Sequence, residues 1–222
     1  MNSKSKPLYL ISDGGYLRKE NKLVSTLETV IRSGHDIISH LQIREQNPAA
    51  AKAANIEIAS DDELLVLCNK LKPICLEFGI KLIINRNIKV AKEAEVDGVH
   101  LGVEGDILGS KNILGSDKIV GGSTHQLSEI LTLNDTPVDY CFFSPVFKPL
   151  SKVSTLILHG VENLKIACAT AKMDIYALGG ITADNFSNCL NNGAKGVALI
   201  SAIILANDPL REIQEFRAKL EK

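Results

Sequence analysis

The sequence predicts a single-domain (β/α)8 barrel, the TIM-barrel fold, covering residues 1–222. Two observations support this prediction: eight short apolar runs recur along the chain, and a segment able to form a helix follows each of them. Strands that alternate with helices form parallel sheets with right-handed crossovers. Eight such units in this length fit a closed barrel. An open, doubly wound sheet is the alternative, and no linker divides the chain.

The predicted strands are short runs rich in β-branched and aromatic residues. In chain order they are LYLIS (8–12), IISHLQI (37–43), IKLIIN (80–85), GVHL (98–101), KIVGG (118–122), YCFFS (140–144), IYAL (175–178) and GVALI (196–200). The helical segments that follow them are LVSTLETVIRSG, the DELLVLCNKLK region, IKVAKEAE, ILGSKNIL, LSEILTL, VENLKIACATAK, ADNFSNCLNN and PLREIQEFRAKL.

Local signals fix the ends of some of these helices. Ser60 and Glu63 form a capping box, and apolar residues at helical spacing run from there to Gly79. Thr182 is the expected N-cap of the helix that ends at Gly193. The stretch NPAAAKAANIEIAS lacks a periodic face and is interpreted as an extended loop, part of it helical in the alternative interpretation. Its residues 48–59 form either a lid over the mouth or a plain insertion.

Composition excludes several classes of protein. The chain is 45% hydrophobic and 23% charged, with a net charge of −1, no Trp and no cluster of basic residues, so a nucleic-acid partner is not expected. No apolar run reaches the roughly 18 residues of a membrane span, and the apolar stretch near the start is shorter than a signal peptide requires, so none is expected. The five cysteines are scattered, which favours reduced thiols. We therefore expect a cytoplasmic protein with small-molecule partners, and a homodimer is left open.

The stretch ALGGITADN places two glycines between a strand and a helix start. Backbone N–H groups at such a junction can bind an anion, and barrels often bind phosphate between the loops after strands seven and eight. Those two loops contain GGIT and ISA, so Gly179, Gly180, Ser201 and Ala202 are candidates for a phosphate site. The alternative is a tight turn that needs glycine only for its dihedral angles.

Other polar side chains also follow the predicted strands, where the βα loops of a barrel meet at one mouth. Arg44 offers a planar fork of donors for phosphate oxygens, and Lys152 offers a compact cation. The alternatives are a salt bridge from Arg44 to Glu45 and an ordinary surface lysine. His125 could donate a hydrogen bond to an anion or transfer a proton near neutral pH. The alternative is that it caps the next helix. His100, inside an apolar strand, is either a structural, hydrogen-bonded histidine or a site residue.

Eight motifs of the chain have a familiar order: LYLISD, LQIRE, LIIN, DGVHLG, GGSTH, SPVFKPLSK, ALGGI and GVALISAI. Together they resemble thiamine-phosphate synthase and its relative, the thiazole tautomerase, from Leu8 to about Ile203. The resemblance implies a barrel that joins an aminopyrimidine diphosphate to a thiazole phosphate in thiamine biosynthesis. It also implies a dissociative reaction, in which diphosphate leaves first and cations and Mg²⁺ stabilise its charge.

The resemblance also assigns roles to individual residues. Those expected around the pyrimidine diphosphate are Gln42, Arg44, Asn85, Ser123 and Lys152. Ser151, where the family commonly has a threonine, is a further candidate for binding substrate or phosphate. Those expected around the thiazole phosphate are Gly179, Gly180, Ser201 and Ala202. His125 occupies the position that is thought to move a proton in the tautomerase branch.

The magnesium site departs from the pattern of that family. The Asp that usually follows LIIN is replaced by Arg86, and a second acidic position is occupied by Gly105. Glu104 and Asp106 lie nearby and are the remaining candidates for metal ligands. Since Mg²⁺ requires oxygen ligands, the expected Mg²⁺ cofactor has an atypical site. Three functions stay open: a synthase with an altered metal site, a tautomerase acting on thiazole phosphate, and a non-catalytic binding or regulatory protein.

Overall fold

A closed barrel of eight parallel strands forms the centre of the computed structural model, which describes residues 6–148 and 157–221. The strands are β1 (Leu8–Ile11), β2 (Ile38–Ile43), β3 (Lys81–Asn85), β4 (Gly98–Leu101), β5 (Ile119–Thr124), β6 (Tyr140–Phe143), β7 (Asp174–Leu178) and β8 (Gly196–Leu199). Each strand pairs with its neighbours in chain order, and β8 closes the barrel on β1. The predicted barrel is confirmed, and each predicted strand overlaps an observed one.

Helices connect these strands. They are α1 (Tyr16–Lys19), α2 (Leu23–Gly34), α3 (Pro48–Ala54), α4 (Asp61–Phe78), α5 (Ile88–Glu93), α6 (Ile107–Leu114), α7 (Leu127–Leu133), α8 (Gly160–Thr170), α9 (Phe186–Asn191) and α10 (Pro209–Leu220). Helices α2, α6, α7 and α10 have the predicted bounds. The capping box of Ser60 and Glu63 begins α4, and Gly79 ends it in a left-handed conformation, as predicted.

One local prediction needs correction, and for a second segment the part-helical alternative is the one observed. Thr182 is not the N-cap of α9, because a turn follows it and the cap is Asn185. Thr182 and Asn185 instead close that turn, with the Thr182 amide donating to Asn185 Oδ1 at 2.9 Å. The stretch after β2 is partly helical and not simply extended. Asn47 caps α3 by accepting from the Ala50 amide, and Pro48 occupies the first turn, where a missing N–H costs nothing.

The barrel interior is filled mainly by aromatic side chains from alternate positions of the strands. Tyr9, Tyr140, Phe142 and Tyr176 contact one another there, with ring centroids 4.9–5.6 Å apart. A Cβ atom at Gly121 would lie 2.1 Å from the Tyr140 ring, so β5 needs glycine to make room for it. The larger apolar core lies between the outer face of the barrel and the helices. This packing closes the barrel interior below the mouth.

The structure also describes the cysteines and the apolar character of the helices. All five cysteines are free, and burial raises the pKa of each thiol. In the part of the chain that the structure describes, no helix combines the length and the apolar character that a membrane crossing requires.

Candidate active site

A cavity of about 420 Å³ opens among the C-terminal ends of the strands and the loops that follow them. Its walls are formed by Ile11, Gln42, Arg44, Gln46, Asn47, Pro48, Ala49, Asn85, Arg86, His100, Gly102, Ser123, Phe142, Leu178 and Ile200. Four of the predicted site residues, Gln42, Arg44, Asn85 and Ser123, are therefore brought together. A volume of this size is typical of a small-molecule site.

Arg44 projects into the cavity directly after β2. The acid beside it in sequence, Glu45, is fully buried and faces Arg18, whose Nε lies 3.6 Å from Glu45 Oε2. Glu45 Oε1 accepts from Ser12 Oγ at 2.6 Å. The alternative prediction of an Arg44–Glu45 salt bridge is thus not realised, since Glu45 pairs with Arg18. Within residues 6–148 and 157–221, the buried Arg44 Nε has no hydrogen-bond partner.

Arg86 lies at the rim of the same cavity, at the end of β3. Its backbone is in the left-handed conformation, with φ at 64°, which is uncommon for a residue with a side chain. The Arg86 amide donates to the His100 carbonyl at 2.8 Å, and the next amide, Asn87, donates to the Asn85 carbonyl at 2.8 Å. The turn that presents Arg86 is therefore held on both sides.

A buried chain of hydrogen bonds crosses the barrel from one wall of the cavity to the other. It begins at Gln42 Nε2, which donates to Tyr9 Oη at 3.4 Å, and Tyr9 Oη lies 2.6 Å from Tyr140 Oη. Tyr140 Oη lies 3.1 Å from His100 Nδ1, and His100 Nε2 lies 2.9 Å from Ser123 Oγ. The chain fixes the orientation of Gln42 and Ser123, the two predicted substrate contacts at its ends.

His100 has the hydrogen-bonded role that was one of its two expected roles, and it also lines the cavity. Burial, and secondarily the charges of Arg86 and Arg44, lower the pKa of His100 to about 3. The imidazole is therefore neutral near pH 7. It holds Ser123 in place as a neutral ring and is not a proton donor of the imidazolium type.

His125 lies outside the cavity wall. Its Nδ1 is 2.7 Å from the Ser144 carbonyl oxygen and 3.2 Å from Ser144 Oγ. The side chain does not cap α7, whose N-cap is Gln126; the His125 backbone N–H donates to Glu129 instead. The role of His125 toward a substrate stays a prediction.

The two glycines after β7 have a packing role in the structure. Gly179 and Gly180 both have positive φ, at 101° and 63°. A Cβ atom at Gly180 would lie 2.3 Å from the Lys148 carbonyl oxygen, so the turn needs glycine for both its dihedral angles and its close contact. Ser201 and Ala202 lie in the turn that follows β8, beside this loop. Among the described residues, the backbone hydrogen bonds include none donated by the Gly180, Ser201 or Ala202 amides.

The two acidic candidates for metal ligands do not converge. Glu104 and Asp106 are both exposed, and Asp106 Oδ1 accepts from the Gly109 amide at 2.8 Å as the N-cap of α6. Over the described residues, no three His, Cys, Asp or Glu side chains are grouped so that they could hold a metal ion. Arg86 stands in the cavity wall where the resemblance expects a carboxylate. The residues present fit Mg²⁺ poorly, and the magnesium cofactor stays a prediction.

Two of the predicted site residues, Ser151 and Lys152, lie outside the described residues.

The wall contributed by α3 is the part of the site that was not predicted from the sequence. Asn47, Pro48 and Ala49 line the cavity beside Gln46, whose Nε2 donates to the Ala59 carbonyl at 3.0 Å. Asn followed by Pro is a signature of a helix start, so that signal was present in the sequence.

Segment 48–59 is anchored and is not a loose insertion. Lys19 Nζ donates to the Ala54 carbonyl at 2.9 Å, and Arg18 Nη2 donates to the Glu57 carbonyl. Both contacts come from α1, in the loop after β1. Since its first residues line the cavity, the segment forms a fixed side wall of the mouth.

The fold and the site define a TIM barrel whose mouth holds two guanidinium groups beside amide and hydroxyl side chains, which are donors of the kind that suit phosphate oxygens. The family model described as "Thiamine monophosphate synthase" matches residues 8–203. The chain therefore belongs to the thiamine monophosphate synthase family.

Known proteins agree with this assignment. A thiamine-phosphate synthase of Persephonella marina is 32% identical over 209 residues, which are 94% of this chain and 92% of that protein. A thiamine-phosphate synthase of Chlamydia caviae is 32% identical over 213 residues, 93% of each chain. Among solved structures, the thiamine phosphate pyrophosphorylase of Pyrococcus furiosus has a TM-score of 0.81 and 26% identity, covering 99% of this chain and 97% of that one.

Proposed function

We propose that this protein is a thiamine-phosphate synthase, a transferase that joins an aminopyrimidine diphosphate to a thiazole phosphate and releases diphosphate. The observation that carries the proposal is the convergence of Gln42, Arg44, Asn85 and Ser123 on one cavity of about 420 Å³. Membership of the family and curated relatives of nearly the same length support the same activity.

The reaction requires charge separation in the transition state. The bond between the pyrimidine methylene carbon and the diphosphate oxygen breaks, and its electron pair leaves with the diphosphate. The thiazole nitrogen then donates its lone pair to the methylene carbon, forming the new C–N bond and a thiazolium. Since no proton is transferred in these two steps, a neutral His100 is compatible with them. The protein has to stabilise negative charge on the leaving group and position the acceptor.

Arg44 is suited to the first task. Its guanidinium lines the cavity, and the neighbouring carboxylate of Glu45 is occupied by Arg18. A planar guanidinium can donate two parallel hydrogen bonds to phosphate oxygens. Ser123, oriented by His100, supplies a hydroxyl on the opposite side of the barrel.

The thiazole phosphate is assigned to the loops after β7 and β8. The Gly180, Ser201 and Ala202 amides lie in neighbouring loops, and amides at such positions bind phosphate in many barrels. Each substrate would then have a separate anion site. We further propose that the protein works in the cytoplasm on these small molecules, without a nucleic-acid or membrane partner; its net charge of −1 favours this. A homodimer stays a prediction.

The test is formation of thiamine phosphate by the purified protein and by two variants. Arg44→Gln removes the central guanidinium and is expected to lower kcat/KM by about 100-fold, since one preorganised donor to a transition-state anion contributes that much. Arg32→Gln is the matched control, because Arg32 is an exposed arginine paired with Glu77 outside the cavity. Equal rates for the two variants would contradict the role of Arg44. Thiazole phosphate binding with no product from the wild type would support the tautomerase or the binding protein instead.

A further inference from the structure

We propose that Arg86 is a diphosphate-binding residue, and that Arg86 and Arg44 together replace a protein-bound divalent cation in neutralising the diphosphate. The identity of this anion rests on the proposed function. The anion site itself rests on the contacts, charges and ligand chemistry of the cavity.

The position of Arg86 is the first observation. Both arginines line one cavity, from the ends of the neighbouring strands β2 and β3. Arg86 adopts its left-handed backbone although the conformation costs a residue with a side chain free energy on the order of 1 kcal/mol. The following residue, Asn87, caps α5 and donates to Gln46 Oε1 at 2.9 Å and to Asp61 Oδ1 at 2.7 Å. These bonds hold the turn that aims Arg86 at the mouth.

The space beside the guanidinium is the second observation. Gly102, in the loop after β4, lies directly against it, and a Cβ atom there would be 2.7 Å from Arg86 Nη2. The guanidinium therefore occupies the volume that any larger residue at position 102 would fill. Since Gly102 has no positive φ, its backbone would accept a side chain, and only the guanidinium occupies the space that such a side chain would take.

The charge of the cavity is the third observation. Among the ion pairs of the described residues, neither Arg44 nor Arg86 has a carboxylate within 4.0 Å. The two carboxylates whose charges act on Arg44 have other contacts: Glu45 pairs with Arg18, and Asp13 accepts from the Leu17 amide at 3.0 Å. Burial lowers the pKa of Arg44; the charges of Glu45 and Asp13 oppose this shift, and the charge of Arg86 adds to it. Two cations that repel each other in one cavity favour an anionic ligand between them.

The ligand chemistry excludes a divalent cation held by these same groups. Mg²⁺ takes oxygen ligands in octahedral geometry, and a guanidinium has no lone pair to offer. Arg86 stands at the end of β3, and the carboxylates of Glu104 and Asp106 are exposed in the loop after β4. The side chain that fills the expected ligand position thus supplies positive charge directly.

Binding of inorganic diphosphate in EDTA, measured by isothermal titration calorimetry, tests the inference without turnover. The wild type is expected to bind as tightly in EDTA as with Mg²⁺, within about 3-fold. Arg86→Gln removes the charge but, like arginine, still places a side chain on the left-handed backbone. It is expected to weaken diphosphate binding by about 10-fold to 100-fold. Arg86→Lys should lose less, and the control Arg32→Gln should bind like the wild type. Binding that requires Mg²⁺, or an unchanged dissociation constant for Arg86→Gln, would overturn the inference.

A second variant displaces the Arg86 guanidinium without substituting Arg86 itself. Gly102→Ala places a methyl group against Nη2, and the flexible end of the arginine has to move away. We expect this variant to keep the melting temperature of the wild type and to lose about 10-fold in diphosphate affinity in EDTA. Wild-type affinity in a folded Gly102→Ala protein would contradict the fit described above. If diphosphate binds through Arg86 but no thiamine phosphate forms, the proposed function fails and the anion site remains.

Discussion

Arg44 and Glu45, the two residues that follow β2, have different surroundings: Arg44 lines the cavity, and Glu45 is buried against Arg18. A buried carboxylate without a cation would be costly, so Arg18 stabilises Glu45 and leaves Arg44 for the ligand. The Arg18–Glu45 ion pair thus leaves the positive charge of Arg44 in the cavity without a paired carboxylate.

Removing that ion pair should destabilise the fold. Arg18→Ala leaves the buried Glu45 carboxylate without its cation, and we expect the free energy of unfolding to fall by about 3 kcal/mol or more. Urea unfolding at pH 7 measures this loss of unfolding free energy. Arg211→Ala, which removes an exposed i,i+4 pair with Glu215, is the control and should cost less than about 1 kcal/mol. Similar losses for both variants would show that Glu45 does not depend on Arg18.

The buried chain from Gln42 to Ser123 gives a second prediction at this scale. Tyr140→Phe leaves Tyr9 Oη and His100 Nδ1 without their shared partner, at a cost of about 1–3 kcal/mol in stability. Because His100 would no longer be held against Ser123, kcat should fall by about 10-fold while the KM for thiazole phosphate changes little. Steady-state kinetics separate these quantities. Tyr176→Phe, in the same interior layer but outside the chain, should keep the wild-type kcat, and a similar loss there would contradict the chain's role.

At the scale of elements, α3 is the helix whose position matters most for the cavity. Asn47 caps it and also lines the cavity, so its side chain couples helix stability to the shape of the mouth. Asn47→Ala should lower the free energy of unfolding by about 1 kcal/mol and raise the KM for the pyrimidine diphosphate. Asp208→Ala removes the N-cap of α10, outside the cavity wall, and serves as the control. An unchanged KM in Asn47→Ala would show that α3 is only a scaffold.

The loop after β7 shows how an element can serve packing and binding together. Gly180 was expected to matter mainly for phosphate, yet its α-carbon also faces the Lys148 carbonyl at a distance that admits no Cβ atom. Gly180→Val should therefore reduce both the melting temperature and the affinity for thiazole phosphate, measured by thermal unfolding and calorimetry. Weaker binding at an unchanged melting temperature would contradict the packing role.

At the scale of the whole molecule, the barrel was predictable because its signals are local. Apolar runs, the Ser60 capping box and the closing glycines each act within one element, and all eight strands follow from them. The chain from Gln42 to Ser123 was not predictable, since it joins residues up to 131 positions apart, as Tyr9 and Tyr140 are. Its geometry depends on strand register and on the space left by Gly121, which sequence patterns do not encode. The same holds for the pairing of Glu45 with Arg18, which leaves Arg44 without an ion-pair partner among the described residues.

Buried histidines should make the whole fold sensitive to acid. Burial lowers the pKa of His40 to about 4 and that of His100 to about 3, both below the ordinary value of 6.5. Between pH 6.5 and 4 the unfolded chain binds protons at these positions and the folded chain does not. The free energy of unfolding should therefore decrease as pH falls, by about 1.4 kcal/mol per pH unit for each histidine.

Urea unfolding between pH 7 and 5 measures this slope, and His40→Phe isolates one contribution. Phenylalanine keeps an aromatic ring against Tyr9, on which His40 stacks at 4.7 Å, and cannot be protonated. The variant should show a shallower loss of stability than the wild type. Glu45, whose pKa burial raises, acts in the opposite direction but is common to both proteins. Identical slopes would mean that His40 has the same pKa in the folded protein as in the unfolded chain.

The most direct test of the proposed function is the reaction of the wild-type protein with the aminopyrimidine diphosphate and thiazole phosphate, run in parallel with Mg²⁺ and with EDTA. We predict that thiamine phosphate and diphosphate form in equal amounts and that EDTA does not abolish the reaction. Product formed only with Mg²⁺ would support the synthase activity but contradict the proposal that Arg44 and Arg86 replace the metal. No product under either condition, with both substrates bound, would contradict the synthase itself.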